Sequence, residues 1–169
     1  MSHKHKSFKG KILNVSIKKV RLPNGYVANI DVIKHPGAVL VVPFLSKNKV
    51  IILKQFRPVI NAYIYELPAG TLEKNENPAV CVRREMIEET GYKTDKITKL
   101  GFIVPVPGYS TEKIFIYKAQ KLSKTQRMHQ KDEVIEILIM DKKTIRRLFK
   151  AGKIIDAKTI SAFAMCGWL

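Results

Sequence analysis

Two near-continuous apolar runs constrain the fold of this chain more than any other feature. They are AVLVVPFL at residues 38–45 and VIILKQF at residues 50–56, joined by the short polar connection Ser-Lys-Asn-Lys. Strands that are apolar along their whole length are typical of a sheet whose two faces are both covered. We therefore expect these two runs to be central strands of such a sheet.

The segments that follow supply the rest of this sheet and its cover. Further strands are predicted at residues 97–106, 112–122 and 133–140, where apolar side chains recur with strand spacing. A helix is predicted at residues 141–152, ended by Gly152, and Asp156 is placed to cap a last helix. Many strands with few helices at irregular spacing predict an α+β fold, a mixed α/β sandwich and not a βαβ repeat.

The first 35 residues have a pattern of their own. Residues 12–20 alternate, with Leu13, Val15 and Ile17 on one face, and residues 26–33 form a second strand after an Asn-Gly turn. His-Pro-Gly then interrupts the pattern. We expect an N-terminal β-ribbon at residues 1–35 and a second domain at residues 36–169.

Composition limits the classes to which the chain can belong. No apolar run reaches the roughly 18 residues of a membrane span, and the basic N-terminus lacks the apolar core of a signal peptide, so we expect a cytoplasmic protein. Two isolated cysteines give neither a disulfide framework nor metal-ligand spacing.

The net charge of +17, from 31 basic and 14 acidic residues, has two interpretations. It can bind the phosphates of a nucleic acid, or it can steer any anionic substrate. The lysines are scattered over every segment, and no stretch mixes basic and aromatic residues as RNA-binding sheets do. We therefore favour steering and regard a nucleic-acid partner as the less favoured alternative.

Six of the 14 acids fall within residues 66–92, ELPAGTLEKNENPAVCVRREMIEETGY. Asn77 and Pro78 predict the start of a helix there, and Gly91 predicts its end. At helical spacing, three acids form one compact face beside an apolar face. The acids are Glu85, Glu88 and Glu89, and the apolar residues are Ala79, Val80, Val82, Met86 and Ile87.

Glu85 and Glu89 are a like-charge pair four residues apart, which costs a helix about 0.2–0.5 kcal/mol. A divalent cation would remove this cost, and grouped carboxylates suit Mg²⁺ or Mn²⁺. Arg84 is placed to hold a neighbouring carboxylate by a bidentate contact. An ordinary solvated acidic helix face is the alternative for this short pattern taken alone.

The wider spacing carries more information than the acidic face. It runs Gly70, five residues, Glu76, seven residues, then Arg-Glu-Met-x-Glu-Glu-x-Gly-Tyr through residue 92. This pattern resembles the signature of the Nudix hydrolases, with no departure at any specified position. The resemblance implies a Nudix-type α/β/α sandwich and cleavage, with a divalent metal, of a nucleoside diphosphate linked to another group.

Other segments are similar to the ADP-ribose and nucleotide-sugar pyrophosphatase branch of that family. They are QFRP at residues 55–58, ELPAG at 66–70, PGYSTE at 107–112 and DEVIE at 132–136. The resemblance implies hydrolysis of a nucleotide sugar to a nucleoside monophosphate and a sugar phosphate, with ADP-ribose the first substrate to test and GDP-mannose the second. An RNA-directed protein, either a 5′ pyrophosphohydrolase or a binder, is the alternative.

The resemblance also implies roles for individual residues. The expected Mg²⁺ or Mn²⁺ ligands are the Ala69 carbonyl and the side chains of Glu85, Glu88 and Glu89. Glu133 is the expected general base, with Asp132 next to it as the second choice; the alternative for Glu133 is an exposed acid at the edge of a strand. The expected supports of this signature are Gly70, Glu76, Arg84 and Gly91, and Glu88 and Arg84 are also expected to act in catalysis.

Three further residues are expected to meet the substrate. Arg57 carries a planar fork that suits a phosphate, and its alternative is a solvated surface position. Glu112 is expected to contact a substrate hydroxyl or a metal-bound water, and Tyr109 is expected either to stack on a base or to pack. The resembled branch forms dimers through N-terminal strands, so we also expect a homodimer.

Overall fold

The computed structural model describes residues 7–10, 14–128 and 133–169. Within these ranges the chain forms ten strands and three α-helices. The strands are β1 Ser7–Lys9, β2 Asn14–Arg21, β3 Val27–Lys34, β4 Ala38–Ser46, β5 Lys49–Arg57, β6 Ala62–Glu66, β7 Ala69–Thr71, β8 Tyr92–Ile103, β9 Ile114–Lys124 and β10 Ile135–Asp141. The helices are α1 Pro78–Glu85, α2 Lys142–Lys150 and α3 Ala157–Met165.

The main sheet has seven strands and is mixed. Its order is β10-β5-β4-β9-β8, with β6 paired to β5 and β7 paired to β4. The pairing of β4 with β9 is parallel, and the other pairings in this sheet are antiparallel. The two apolar runs, β4 and β5, are therefore central strands, as the sequence predicts.

Alternate residues of β4 enter two separate cores, because successive side chains of a strand point to opposite faces. Val39 and Val41 pack with Val82 and Met86 in the cluster beneath the first helix. The other face carries a larger cluster with α2 and α3, which contains Leu40, Val42, Ile145, Phe163 and Trp168. Helices on both faces make the α/β/α sandwich and confirm the predicted fold class.

The N-terminal ribbon has one more strand than the sequence indicates. β1, β2 and β3 form a separate three-stranded antiparallel sheet. Of the predicted apolar face, Val15 is half-buried and Ile17 is 38% exposed, while Leu13 lies outside the described residues. The Ile33 N–H donates to the Tyr109 carbonyl at 2.7 Å, which ties this sheet to the loop before β9.

The helix within the acidic stretch begins and ends where the sequence predicts. Asn77 caps it by accepting from the Ala79 N–H at 2.8 Å, and Gly91 ends it in the left-handed conformation at φ 69°. Its last turn is wider, because residues Met86–Thr90 form a π-helix. The three predicted acids remain close together, since Arg84 contacts Glu85 and Glu88 and the charge of Glu85 acts on Glu89. Glu85 and Glu89 are buried, however, so this group of acids is not an ordinary solvated helix face.

Two side chains of this helix also differ from the predicted faces. Val80, expected on the apolar face, is 57% exposed. Arg83, which helical spacing places among apolar residues, is exposed and donates from Nη1 to the carbonyl of Thr94 on β8. The guanidinium therefore satisfies a strand carbonyl at the edge of the core.

Both C-terminal helices are capped by an aspartate, and the sequence predicts the second of these caps, Asp156. Asp141 accepts from the Thr144 N–H at 2.7 Å, and Asp156 accepts from the Thr159 N–H at 3.1 Å. β8 begins five residues before its predicted start, since the polar segment at its beginning pairs with β9 although it lacks an apolar pattern. None of the helices in the described part of the chain is both long and apolar enough to cross a membrane.

Candidate active site

The carboxylate of Glu85 lies directly against the backbone of Gly70. Glu85 is the last residue of α1, and this helix contacts β7, which carries Gly70. A Cβ on residue 70 would overlap the Glu85 carboxylate, so the side chain can approach only because residue 70 is glycine. Glu85 is 8% exposed, and burial raises the pKa of its carboxyl to about 7.

Glu89, in the π-helical turn, contacts Ala69, which precedes Gly70 on β7. Its Oε2 accepts from the Ala69 N–H at 2.9 Å. Burial raises the pKa of the Glu89 carboxyl to about 8, although the Ala69 N–H acts in the opposite direction by favouring the charged form. Two buried carboxylates therefore converge on the two-residue segment Ala69-Gly70.

Arg84 joins three acids of this region with one guanidinium. Its Nε and Nη2 donate to the two carboxylate oxygens of Glu76, each at 3.0 Å. Its Nη1 donates to Glu85 at 2.6 Å and to Glu88 at 3.1 Å. The bidentate contact lowers the pKa of the Glu76 carboxyl to about 2, so this acid is a fixed anion that anchors the loop before α1.

Glu133 precedes β10 and lies close to the same pair of acids. Its negative charge contributes to raising the pKa of both Glu85 and Glu89. The fold therefore brings a residue 44 positions beyond Glu89 to the acidic cluster. Asp132, the second choice as a base, lies outside the described residues.

Two of the three guanidinium nitrogens of Arg57 are hydrogen-bonded to Glu66. Its Nε and Nη2 donate to the carboxylate of Glu66 at 2.6 and 2.7 Å. Glu66 is 1% exposed and also accepts from Lys158 Nζ at 2.5 Å, while Lys158 contacts Asp156 at 2.9 Å. The predicted contact of Arg57 with a phosphate therefore depends on its remaining Nη1 group.

Glu112 lies in the loop before β9, close to His35, which follows the end of β3. The Glu112 carboxylate lies 3.9 Å from His35 Nε2, and its N–H donates to the Ser110 hydroxyl at 3.1 Å. Tyr109 is 53% exposed on the same loop. Its main chain binds β3, and its ring is free of the core.

A cleft of about 180 Å³ connects several of these residues. Its walls come from β4, β5, β7, β9 and α3. The lining includes Arg57, Ala69, Gly70, Glu112 and Lys158. The fold thus places the predicted substrate residues Arg57 and Glu112 beside the segment that contacts Glu85 and Glu89, whereas Tyr109 is not among the lining residues.

The donor chemistry fits the divalent cation that the sequence predicts. Two carboxylates buried at raised pKa are hard oxygen donors, and a cation would offset the cost of their burial. Within residues 7–10, 14–128 and 133–169, no three His, Cys, Asp or Glu side chains converge closely enough to enclose an ion. Instead, Arg84 donates hydrogen bonds to Glu85 and Glu88, and the Ala69 N–H donates to Glu89.

Two members of the site were not singled out by the sequence as site residues. Glu66 is a buried acid with two cationic partners, and Lys158 lines the cleft from the start of α3. Glu66 lies within the acidic stretch, which was a usable signal. Lys158 is one of many scattered lysines, and only the packing of α3 brings it to β6.

Comparison with known proteins decides the family. The NUDIX domain matches residues 34–163. The chain belongs to the NUDIX family. This confirms the family that the sequence pattern indicates and the expectation of a hydrolase.

Relatives of this NUDIX protein match over most of its length. It is 36% identical over 161 residues to the ADP-ribose pyrophosphatase of Bacillus subtilis (strain 168), covering 94% of this chain and 87% of that one. It is 34% identical to the methanol dehydrogenase activator of Bacillus methanolicus, covering 92% and 85%. It is 34% identical to a GDP-mannose pyrophosphatase of Escherichia coli O1:K1 / APEC, covering 73% and 69%.

A solved structure supports the fold of the NUDIX protein. The crystal structure of an ADP compounds hydrolase superimposes with a TM-score of 0.82, covering 97% of this chain and 90% of that one at 18% identity. At this identity the likeness concerns the fold alone.

Proposed function

We propose that this NUDIX protein hydrolyses the diphosphate bond of a nucleoside diphosphate sugar in the presence of Mg²⁺. The products would be a nucleoside monophosphate and a sugar phosphate. The observation that carries the proposal is the pair of buried carboxylates, Glu85 and Glu89, on the Ala69-Gly70 segment at the cleft. The relatives that act on ADP-ribose and GDP-mannose indicate the two substrates to test first.

The residues that would hold the cation are Glu85, Glu88 and Glu89, with the carbonyl of Ala69. When bound, Mg²⁺ supplies neutralisation of phosphate charge and polarisation of a water; Mn²⁺ has the same ligand preference and is the second metal to test. Arg84 positions Glu85 and Glu88 through Nη1, and Glu76 holds Arg84 in turn. Gly70 lets the Glu85 carboxylate approach the backbone of β7, and Gly91 ends the helix in the left-handed conformation.

Glu133 is proposed as the general base. It is half-buried at the edge of the acidic cluster, which keeps one side accessible to water. Its role would be to accept a proton from the water that attacks the phosphorus atom.

Substrate contacts are proposed for the cleft residues. Arg57 Nη1 and Lys158 would face the diphosphate, since they are the cations of the cleft lining. Glu112 would accept a hydrogen bond from a sugar hydroxyl. Tyr109 would stack on the base from the exposed loop beside Glu112.

We also propose that the N-terminal sheet joins two copies of the chain. Residues 1–35 would act as a dimerising ribbon, separate from the catalytic domain at residues 36–169. Several large apolar side chains of this sheet and its turn remain exposed, which supports a covering partner: Phe8, Ile17, Val20, Tyr26 and Val27.

A turnover screen tests the function. Purified protein is incubated with ADP-ribose, GDP-mannose and other nucleotide sugars, each with Mg²⁺, with Mn²⁺ and with a chelator, and the products are separated by ion-exchange chromatography. We expect metal-dependent release of a nucleoside monophosphate from at least one nucleotide sugar. Release of pyrophosphate from 5′-triphosphorylated RNA, with every nucleotide sugar untouched, would favour the RNA-directed alternative instead.

A further inference from the structure

Helix α2 carries a concentration of positive charge that the proposed hydrolysis does not use. Five of its nine residues, in the sequence KKTIRRLFK, are Lys or Arg. They occupy positions i, i+1, i+4, i+5 and i+8, which fall within an arc of about 140° on a helix. The members of this basic face are Lys142, Lys143, Arg146, Arg147 and Lys150.

The opposite side of α2 is anchored in the core, so the basic face must point away from it. Ile145 is fully buried, and Leu148 packs against the same cluster as Phe163 and Trp168. Four of the five cations are exposed, and Lys142 is half-buried. The basic face borders an open groove of about 730 Å³, which Asn48 of the β4–β5 turn also lines.

Few groups of the protein neutralise this face. Lys142 donates to the Gly167 carbonyl at 2.6 Å, and Arg146 donates to the Trp168 carbonyl at 2.7 Å. The side chains of the other three, Lys143, Arg147 and Lys150, make no hydrogen bond or salt bridge with any residue that the structure describes.

The charges also repel one another along the helix. Lys142 and Arg146, Lys143 and Arg147, and Arg146 and Lys150 are like-charge pairs four residues apart. Each such pair costs a helix about 0.2–0.5 kcal/mol, so the isolated face is mildly unfavourable. An anionic partner would remove this cost.

The basic face lies at the opposite end of the sheet from the candidate active site. Asp141, immediately before α2, pairs with Lys49 at the start of β5, whereas Arg57 of the cleft is at the end of β5. The two ends are eight residue steps apart along the strand, or about 26 Å at 3.3 Å per step. A ligand on α2 would therefore not occupy the substrate cleft.

We propose that the basic face of α2 binds the phosphate backbone of double-stranded nucleic acid without reading its sequence. Lys143, Arg147 and Lys150 follow one another at steps of about 6 and 4.5 Å along the helix axis, which presents a row of cations to a row of phosphates. The lysines look scattered along the sequence, but the fold gathers five cations here.

The chemistry of the groove favours this partner over others. Its lining contains no aromatic side chain, so it offers neither a platform for unpaired bases nor the apolar anchor of a protein interface. Phosphates bound by Lys and Arg need no such anchor, and RNA and DNA duplexes share them. The net charge of +17 would steer a polyanion toward this face.

The test measures binding of fluorescein-labelled duplexes of about 20 base pairs, one RNA and one DNA, by anisotropy between about 50 and 200 mM salt. The full-length protein is compared with the triple variant Lys143→Gln, Arg147→Gln, Lys150→Gln. Loss of three phosphate contacts should weaken binding at least tenfold at low salt and lower the slope of log K against log salt by about 3. Gln is a good helix former and the variant removes two like-charge pairs, so the melting temperature should not fall.

A charge-matched control separates a site from general attraction. The variant Lys93→Gln, Lys96→Gln, Lys124→Gln removes the same charge from exposed positions on β8 and β9. It should keep wild-type affinity within about twofold and the wild-type slope. Equal weakening in both variants, or wild-type binding by the α2 variant, would overturn the proposal.

Two competitors complete the experiment. Anionic phospholipid vesicles and a poly-glutamate peptide are added to the preformed duplex complex, and direct binding of each is measured with both variants. Weak competition from both is expected. Tighter, α2-dependent binding of vesicles or of the peptide than of either duplex would also overturn the proposal, in favour of a membrane or a protein partner.

Discussion

The Glu85 carboxylate occupies the space that a side chain on residue 70 would need. This relationship joins the end of α1 to β7 and places a buried acid at the cleft. Gly70 does not have a positive φ, so the requirement for glycine comes from the approach of Glu85 and not from the backbone conformation.

Substitution Gly70→Ala tests this packing. The added methyl group must displace the Glu85 side chain, so we expect turnover to fall at least about a hundredfold and the melting temperature to decrease. Gly108→Ala is the stability control, because a Cβ there meets nothing within 4 Å. An unchanged melting temperature and full turnover for Gly70→Ala would contradict the close contact.

Substitution Glu89→Gln tests the proposed metal ligand. A neutral amide is a poor ligand for a hard cation, so nearly all Mg²⁺-dependent turnover should be lost. The amide oxygen can still accept from the Ala69 N–H, so the fold should persist. Turnover and melting temperature are measured on the same preparation, and activity above about a tenth of wild type would exclude the role.

The stability of the metal-free protein should depend on pH through the two buried acids. Their pKa values are about 7 and 8 in the folded chain, against an ordinary 4.5. Between these limits the unfolded chain releases protons that the folded chain retains, so ionisation favours unfolding. Stability from these groups is present below pH 4.5 and is lost as the pH rises to about 8.

Melting temperatures with a chelator at pH 5.5 and 8.5 measure this effect. We expect the lower value at pH 8.5, a smaller difference for Glu89→Gln, and a smaller difference again when Mg²⁺ replaces the chelator. A metal-free protein that is more stable at pH 8.5 would show that burial of these acids does not control stability.

Substitution Glu133→Gln tests the general base. Turnover should fall roughly 10² to 10⁴-fold, the usual cost of a lost base, while Mg²⁺ affinity stays close to wild type. Glu112→Gln is the comparison, since Glu112 is proposed to bind substrate and should mainly raise KM. If Glu112→Gln lowers kcat more than Glu133→Gln does, the two roles are assigned the wrong way round.

We expect the protein to be a homodimer joined through the N-terminal ribbon. Light scattering at micromolar concentration should give twice the 19.3 kDa mass of one chain. An obligate interface should exceed about 2,000 Å². Val20→Lys combined with Val27→Lys, on paired strands, should shift the mass toward the monomer. A wild-type monomer with full turnover would refute both the dimer and any site shared across it.

Features set by neighbouring residues were determined by the sequence alone. Asn77 and Asp156 cap their helices as predicted, and Gly91 ends the helix that follows Gly70 and Glu76 at the family spacing. The two apolar runs also fixed the centre of the sheet. Each of these signals lies within one element or between adjacent elements. Residues that are close along the chain are also close in space there.

Tertiary structure decided the features that depend on contacts between distant segments. Contacts with β7 bury Glu85 and Glu89, which the spacing of acids along the helix does not predict. Lys158 reaches Glu66 across 92 positions, and β4 pairs in parallel with β9. Such contacts are stabilised by burial and charge pairing between segments that are far apart in the sequence. A local sequence pattern therefore does not predict them.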